Sequence, residues 1–108
     1  MYFYNPSERE ATEIIPGYRA RTFWGTNLML VVVDIDAQAM LPNHSHPHEQ
    51  GGLIVKGKLE LTIGGEKRLL KPGDVYMIPG GVEHSAVAGS DPVQVLDIFT
   101  PIREDMKY

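Results

Sequence analysis

The sequence predicts an all-β domain, a closed sandwich or barrel of the jelly-roll type, from three observations. Roughly eight to ten short strand-like runs follow one another, and Gly- and Pro-marked turns separate them at close intervals. No stretch carries the 3.6-residue apolar period of a long helix. The 108 residues are 43% hydrophobic and 22% charged, an ordinary globular balance in a chain long enough for one domain and one core.

Taken in order, residues 1–17 form an N-terminal segment without a clear period, 18–100 the barrel and 101–108 a polar tail. Tyr2, Phe3 and Tyr4 either pack against the domain or a second subunit, or fray. Ser7 to Ala11 can make one helical turn with Ser7 as its N-cap. Tyr18 to Trp24 alternates as a strand, and Gly25 to Asn27 turn the chain. Residues 27–37 read as the strongest strand, because Val31, Val32 and Val33 are β-branched and a run apolar on both faces implies burial on both sides. Asp34 and Asp36 share one face at its exposed end.

Leu59 to Ile63 and Glu66 to Leu70 flank Gly64-Gly65, whose freedom at positive φ suits a two-residue hairpin loop. Lys71-Pro72-Gly73-Asp74 makes the next turn. Val75 to Ile78 is a short strand, broken by Pro79-Gly80-Gly81. Val82 to Ala88 and Val93 to Phe99 complete the set, with Gly89-Ser90-Asp91-Pro92 between them.

Charge and composition narrow the function. A net charge of −4 argues against a nucleic-acid-binding face. No apolar run reaches the length of a membrane span, and MYFYNPSERE lacks a basic leader with an apolar segment behind it. With no cysteine, disulfides and thiolate zinc sites are excluded, which leaves His, Asp, Glu or Gln as metal ligands and suits the cytoplasm.

Three of the four histidines, His44, His46 and His48, alternate within Leu41 to Gly57, and His84 stands far downstream. On a strand His44 and His46 share a face, so two imidazoles can grip one ion at about 2.0–2.1 Å. Pro47 bends the chain, which lets position 50 return to that side, and His84 closes the site from a neighbouring strand.

These residues resemble the cupin superfamily. Its first motif matches His44-Ser45-His46, then Gln50, then Gly57; its second matches Gly73, Pro79-Gly80-Gly81 and His84, with 15 residues between the motifs. Gln38 stands where the first motif often opens with Gly, and Ala88 where the second often ends with Asn. The resemblance implies a single-domain cupin jelly-roll β-barrel holding one divalent transition metal ion (nickel, zinc, manganese, iron or cobalt) on His44, His46, Gln50 and His84. Gln50 replaces the commoner Glu, so the complex keeps a charge of about +2 rather than about +1, which favours an anionic ligand. The spacing leaves His48 at the rim or behind the ligands, with direct ligation the lesser alternative, and makes Glu49 a salt-bridge or hydrogen-bond partner.

HSHPHEQ at 44–50 together with Leu96 to Asp105 is similar, more narrowly, to the small cupins of the pectin-degradation protein KdgF type. That resemblance implies conversion of 4,5-unsaturated monouronates from pectin or alginate to linear keto forms, with Asp97, Phe99 and Arg103 as catalytic residues, and a homodimer. Independently of it, Asp97 interrupts the apolar run VQVLDIF, where an acid is costly to bury unless paired or functional. Desolvation would lift its pKa into a useful range. Arg103 can grip a carboxylate with two hydrogen bonds, and Phe99 can wall the pocket. The competing structural reading is an Asp97–Arg103 ion pair stapling the tail to the barrel, with Phe99 as core. Two other function classes stay open: a metal-dependent dioxygenase, and a non-catalytic sugar- or metal-binding module.

Overall fold

In a computed structural model, which describes residues 2–108, ten strands form two antiparallel sheets. The strands are β1 (Thr12–Ile15), β2 (Tyr18–Trp24), β3 (Met29–Ile35), β4 (Met40–His44), β5 (Glu49–Lys56), β6 (Leu59–Ile63), β7 (Glu66–Leu70), β8 (Val75–Ile78), β9 (His84–Ala88) and β10 (Val93–Thr100). Six lie in the order β1-β2-β3-β10-β5-β8 and four in the order β4-β9-β6-β7. This is the jelly roll expected from the turn spacing.

The core fills the space between the sheets. Val31, Val33, Ile35, Ile54, Ile78 and Val95 face inward from the larger sheet, and Leu59, Leu61, Ala86 and Ala88 from the smaller. Period-two alternation puts the intervening residues outside. In β3 this corrects the expectation of burial on both faces, because Leu30 is exposed and Val32 half-buried. Asp34 and Asp36 do share the outer face, where Arg21 and Arg19 each reach one of them at 2.9 Å.

Other differences lie in the middle and at the ends: β5 has no counterpart among the strands read from the sequence, and β9 begins at His84 rather than Val82. β1 has no counterpart in the sequence reading, yet it pairs with β2 and extends the larger sheet. The single helical turn is a 3-10 turn at Pro6–Glu8, and its cap is Asn5, whose Oδ1 accepts from the Ser7 N–H at 3.1 Å. The shift follows from Pro6, whose fixed φ suits the first position of the turn. Tyr2 and Phe3 are 92% and 87% exposed, whereas Tyr4 packs on Phe23 at 5.1 Å. The polar tail forms a second 3-10 turn at Glu104–Met106 and buries Met106.

Candidate metal centre and active site

Each histidine of the cluster is set by its backbone. His44 ends β4 and His84 begins β9, and the two are direct partners in the β4–β9 ladder. His46 sits in the loop between β4 and β5, which corrects the expectation that it shares a strand face with His44: β4 ends at His44, before Pro47 bends the chain. The Pro79-Gly80-Gly81 turn clamps that loop: the Gly81 N–H donates to the His46 carbonyl at 2.8 Å, and a Cβ on Gly80 would stand 2.4 Å from the Pro47 carbonyl oxygen. Only glycine permits that approach.

All three rings are held through Nδ1. His44 Nδ1–H donates to the Pro42 carbonyl at 2.9 Å, His46 to His48 at 3.0 Å and His84 to Val82 at 3.0 Å. A carbonyl can only accept, so each proton resides on Nδ1 and each Nε2 carries a free lone pair. The three rings offer ligand atoms within 4.8 Å of one another.

Gln50 supplies the decisive observation about the donor set. Its Oε1 lies 3.1 Å from His46 Nε2. Its side chain also lies close enough to the Asp97 carboxylate to hold that group's pKa down, an effect that only the NH2 can have. The oxygen is thereby turned toward the histidines, where two lone pairs face each other. Protonating His46 would reconcile them, but burial above all, and then the positive charge of Arg103, hold its pKa below the ordinary imidazole value. A shared cation reconciles them directly, since adjacent ligands each about 2.0–2.2 Å from one ion stand about 3 Å apart. Three neutral imidazoles and an amide oxygen fit a divalent transition ion.

His48 is half-buried and does not line the cavity that His44, Gln50 and His84 share. Its carbonyl anchors His46, its ring lies 5.8 Å from the His46 ring, and its Nδ1 is buried without a hydrogen-bond partner among the described residues. Glu49 departs from expectation. It is exposed and makes neither a salt bridge nor a side-chain hydrogen bond among the described residues, because its place in the ladder beside Thr100 turns it outward.

β10 brings Asp97 and Phe99 to the same cavity, of about 420 Å³, which His44, Gln50, His84 and Arg103 also line. Phe99 is buried, edge-on to the His46 ring at 5.7 Å. Arg103 stacks over Phe99, its Cζ 5.2 Å from the ring centroid, and its guanidinium pairs with Asp105 at 3.1 Å. The Asp97–Arg103 ion pair of the competing structural reading is not among the ion pairs of the described residues. Asp97 instead accepts from the Tyr76 hydroxyl at 2.5 Å and feels Arg103 only through its charge. Burial pushes the Asp97 carboxyl up to about 6, against the stabilising bonds from Tyr76 and Gln50.

The sequence reading missed Tyr76, Tyr18 and, in the tail, Asp105, Met106 and Tyr108 as parts of the cavity wall. Tyr76 reaches Asp97 because the residue between them in the sheet is Gly52, which pairs with Tyr76 on β8 and with Asp97 on β10. A signal was present: a tyrosine and an acid, each at an inward position of an apolar strand, both need a partner.

The cupin domain family matches residues 31–99 of this chain. The chain is a cupin. It is 36% identical to the pectin degradation protein KdgF of Dickeya dadantii over 83 residues, 76% of each chain. Its fold matches the structure of KdgF from a Halomonas species with a TM-score of 0.92, at 35% identity over 98% of both chains. This cupin therefore belongs with the KdgF-type members. A shorter likeness, 52% over 42 residues, links it to quercetin 2,3-dioxygenase of Bacillus subtilis, but covers 39% of this cupin and only 12% of that enzyme. Among the described residues, no helix is long and apolar enough to cross a membrane.

Proposed function

We propose that this cupin is a metal-dependent enzyme that opens and ketonises 4,5-unsaturated monouronates, the sugars that lyases release from pectin or alginate. The observation that carries the reading is one cavity holding His44, Gln50, His84, Asp97, Phe99 and Arg103, in a chain related along most of its length to a pectin degradation protein. His44, His46, Gln50 and His84 would hold the ion, which when bound supplies Lewis-acid polarisation of a substrate oxygen. The neutral Gln50 leaves the ion's charge unquenched, so an anionic sugar is favoured.

The chain's own groups account for the proton movements. Arg103, already braced on Phe99, binds the uronate carboxylate, and Phe99 packs against the unsaturated ring. Asp97, as carboxylate, takes the proton of the anomeric hydroxyl as the ring C–O bond breaks. It then returns a proton to the enol carbon, leaving a ketone. Atoms and electrons balance without an oxidant, and a carboxyl near 6 serves in both directions at neutral pH.

The test follows the loss of the ultraviolet-absorbing double bond of unsaturated galacturonate. Asp97→Asn and Arg103→Ala should each slow it by about a hundredfold or more, the scale of a lost acid–base group or substrate clamp. Unchanged turnover in both variants removes these roles. Turnover that consumes oxygen would point to dioxygenase chemistry, and tight binding of the sugar without turnover to a binding module.

A further inference from the structure

Tyr18 stands on β2 facing the core, 4% exposed, and its ring lines the cavity that holds Asp97 and Arg103. Its hydroxyl oxygen is buried, yet has no hydrogen-bond partner among the described residues. A buried polar group left unpaired costs stability, so such groups are uncommon unless a ligand or water completes them. The neighbouring hydroxyl, on Tyr76, is fully committed to Asp97. The surrounding wall is apolar, with Ile14, Val31, Val33, Leu59, Leu61 and Val95. A small-molecule cavity of this kind orients its occupant by the few polar groups it contains.

We propose that the Tyr18 hydroxyl is a substrate-binding group, which hydrogen-bonds a hydroxyl or ring oxygen of the sugar at the end remote from the carboxylate. A sugar hydroxyl there can donate to Asp97 while accepting from Tyr18, and this fixes which end of the molecule enters first. Burial, aided by the charge of Asp97, pushes the Tyr18 phenol up to about 12, so it remains a neutral donor across the working pH range. The inference deepens the uronate reading and rests on it for the choice of probe.

The experiment uses the full chain carrying Tyr18→Phe, with three measurements: ligand-free melting temperature, affinity for D-galacturonate, and turnover of unsaturated galacturonate. The expected result is a melting temperature equal to or above wild type, about tenfold weaker galacturonate binding and about tenfold higher KM, with kcat changed less. Affinity and KM within twofold of wild type would overturn the assignment, leaving the hydroxyl to an ordered water. A melting temperature several degrees lower would also overturn it, because the hydroxyl would then already have a partner. If wild type binds galacturonate but turns nothing over, the enzymatic reading fails and Tyr18 is judged on the affinity ratio alone. If wild type binds neither sugar, both fall.

Discussion

Gly52 lies beneath the ring of Tyr76: a Cβ placed on it would stand 2.1 Å from Tyr76 Cζ and 2.3 Å from the hydroxyl oxygen. The missing side chain is what allows the phenol to span from β8 across β5 to Asp97 on β10. Gly52→Ala should therefore cost about 1–3 kcal/mol by forcing the ring aside. Tyr76→Ala relieves the same overlap, so the double variant should lose less than the sum of the two singles. Denaturant unfolding of all four proteins checks it, and strict additivity would mean that the contact is not made.

Asp97 has a definite pH signature in the metal-stripped protein. Its folded pKa, raised from 3.8 to about 6, means that the folded state holds the proton more tightly than the unfolded chain. The cost of the buried charge is thus fully present above about pH 6 and is relieved as pH falls toward 3.8. Asp97→Asn should stabilise the stripped protein by at most about 3 kcal/mol at pH 8, with the gain vanishing near pH 4. A pH-independent difference would show that Asp97 is not held at a raised pKa.

Metal retention should survive mild acid. Burial, as the first cause, lowers the pKa of both His46 and His84 below 6.5. Protons compete with the ion for the same lone pairs, so lowering these pKa values moves the loss of metal to lower pH. The midpoint of release, followed by elemental analysis after dialysis across pH 4–8, should fall below 6.5. In the stripped protein the sign is the same: the folded state binds fewer protons, so these two residues reduce stability as pH drops from 6.5 through their folded values.

Gln38 has φ = 65°, a left-handed backbone that costs a side-chain-bearing residue about 1–2 kcal/mol. The first cupin motif often opens with Gly at this position, and the geometry gives the reason. Gln38→Gly should raise stability by up to about 1 kcal/mol, after the larger chain entropy of glycine in the unfolded state is subtracted. A melting curve suffices, and a clear loss would mean that the Gln38 side chain has a role of its own.

Local information made much of this molecule legible. The Gly64-Gly65 hairpin, the β-branched β3 and the Pro79-Gly80-Gly81 break are written in short-range sterics, and the strands that follow from them were found where expected. The histidine pair, the bend at Pro47 and the spacing to Gln50 and His84 predicted donors that the fold does bring together. β1 was missed because four residues without a turn signal of their own become a strand only when β2 is there to pair with.

Strand alternation, readable from the residues alone, already puts Asp97 and Phe99 on one face. The neighbours they meet there depend on how the strands pack. Antiparallel register placed Gly52 between Tyr76 and Asp97, packing set the Gln50 oxygen beside His46, and the local 3-10 turn of the tail gave Arg103 to Asp105 rather than to Asp97. Tyr76 and Gly52 reach Asp97 from strands distant in sequence. Their meeting depends on how two sheets close around a common core, a sum of many weak contacts that no local run of residues encodes.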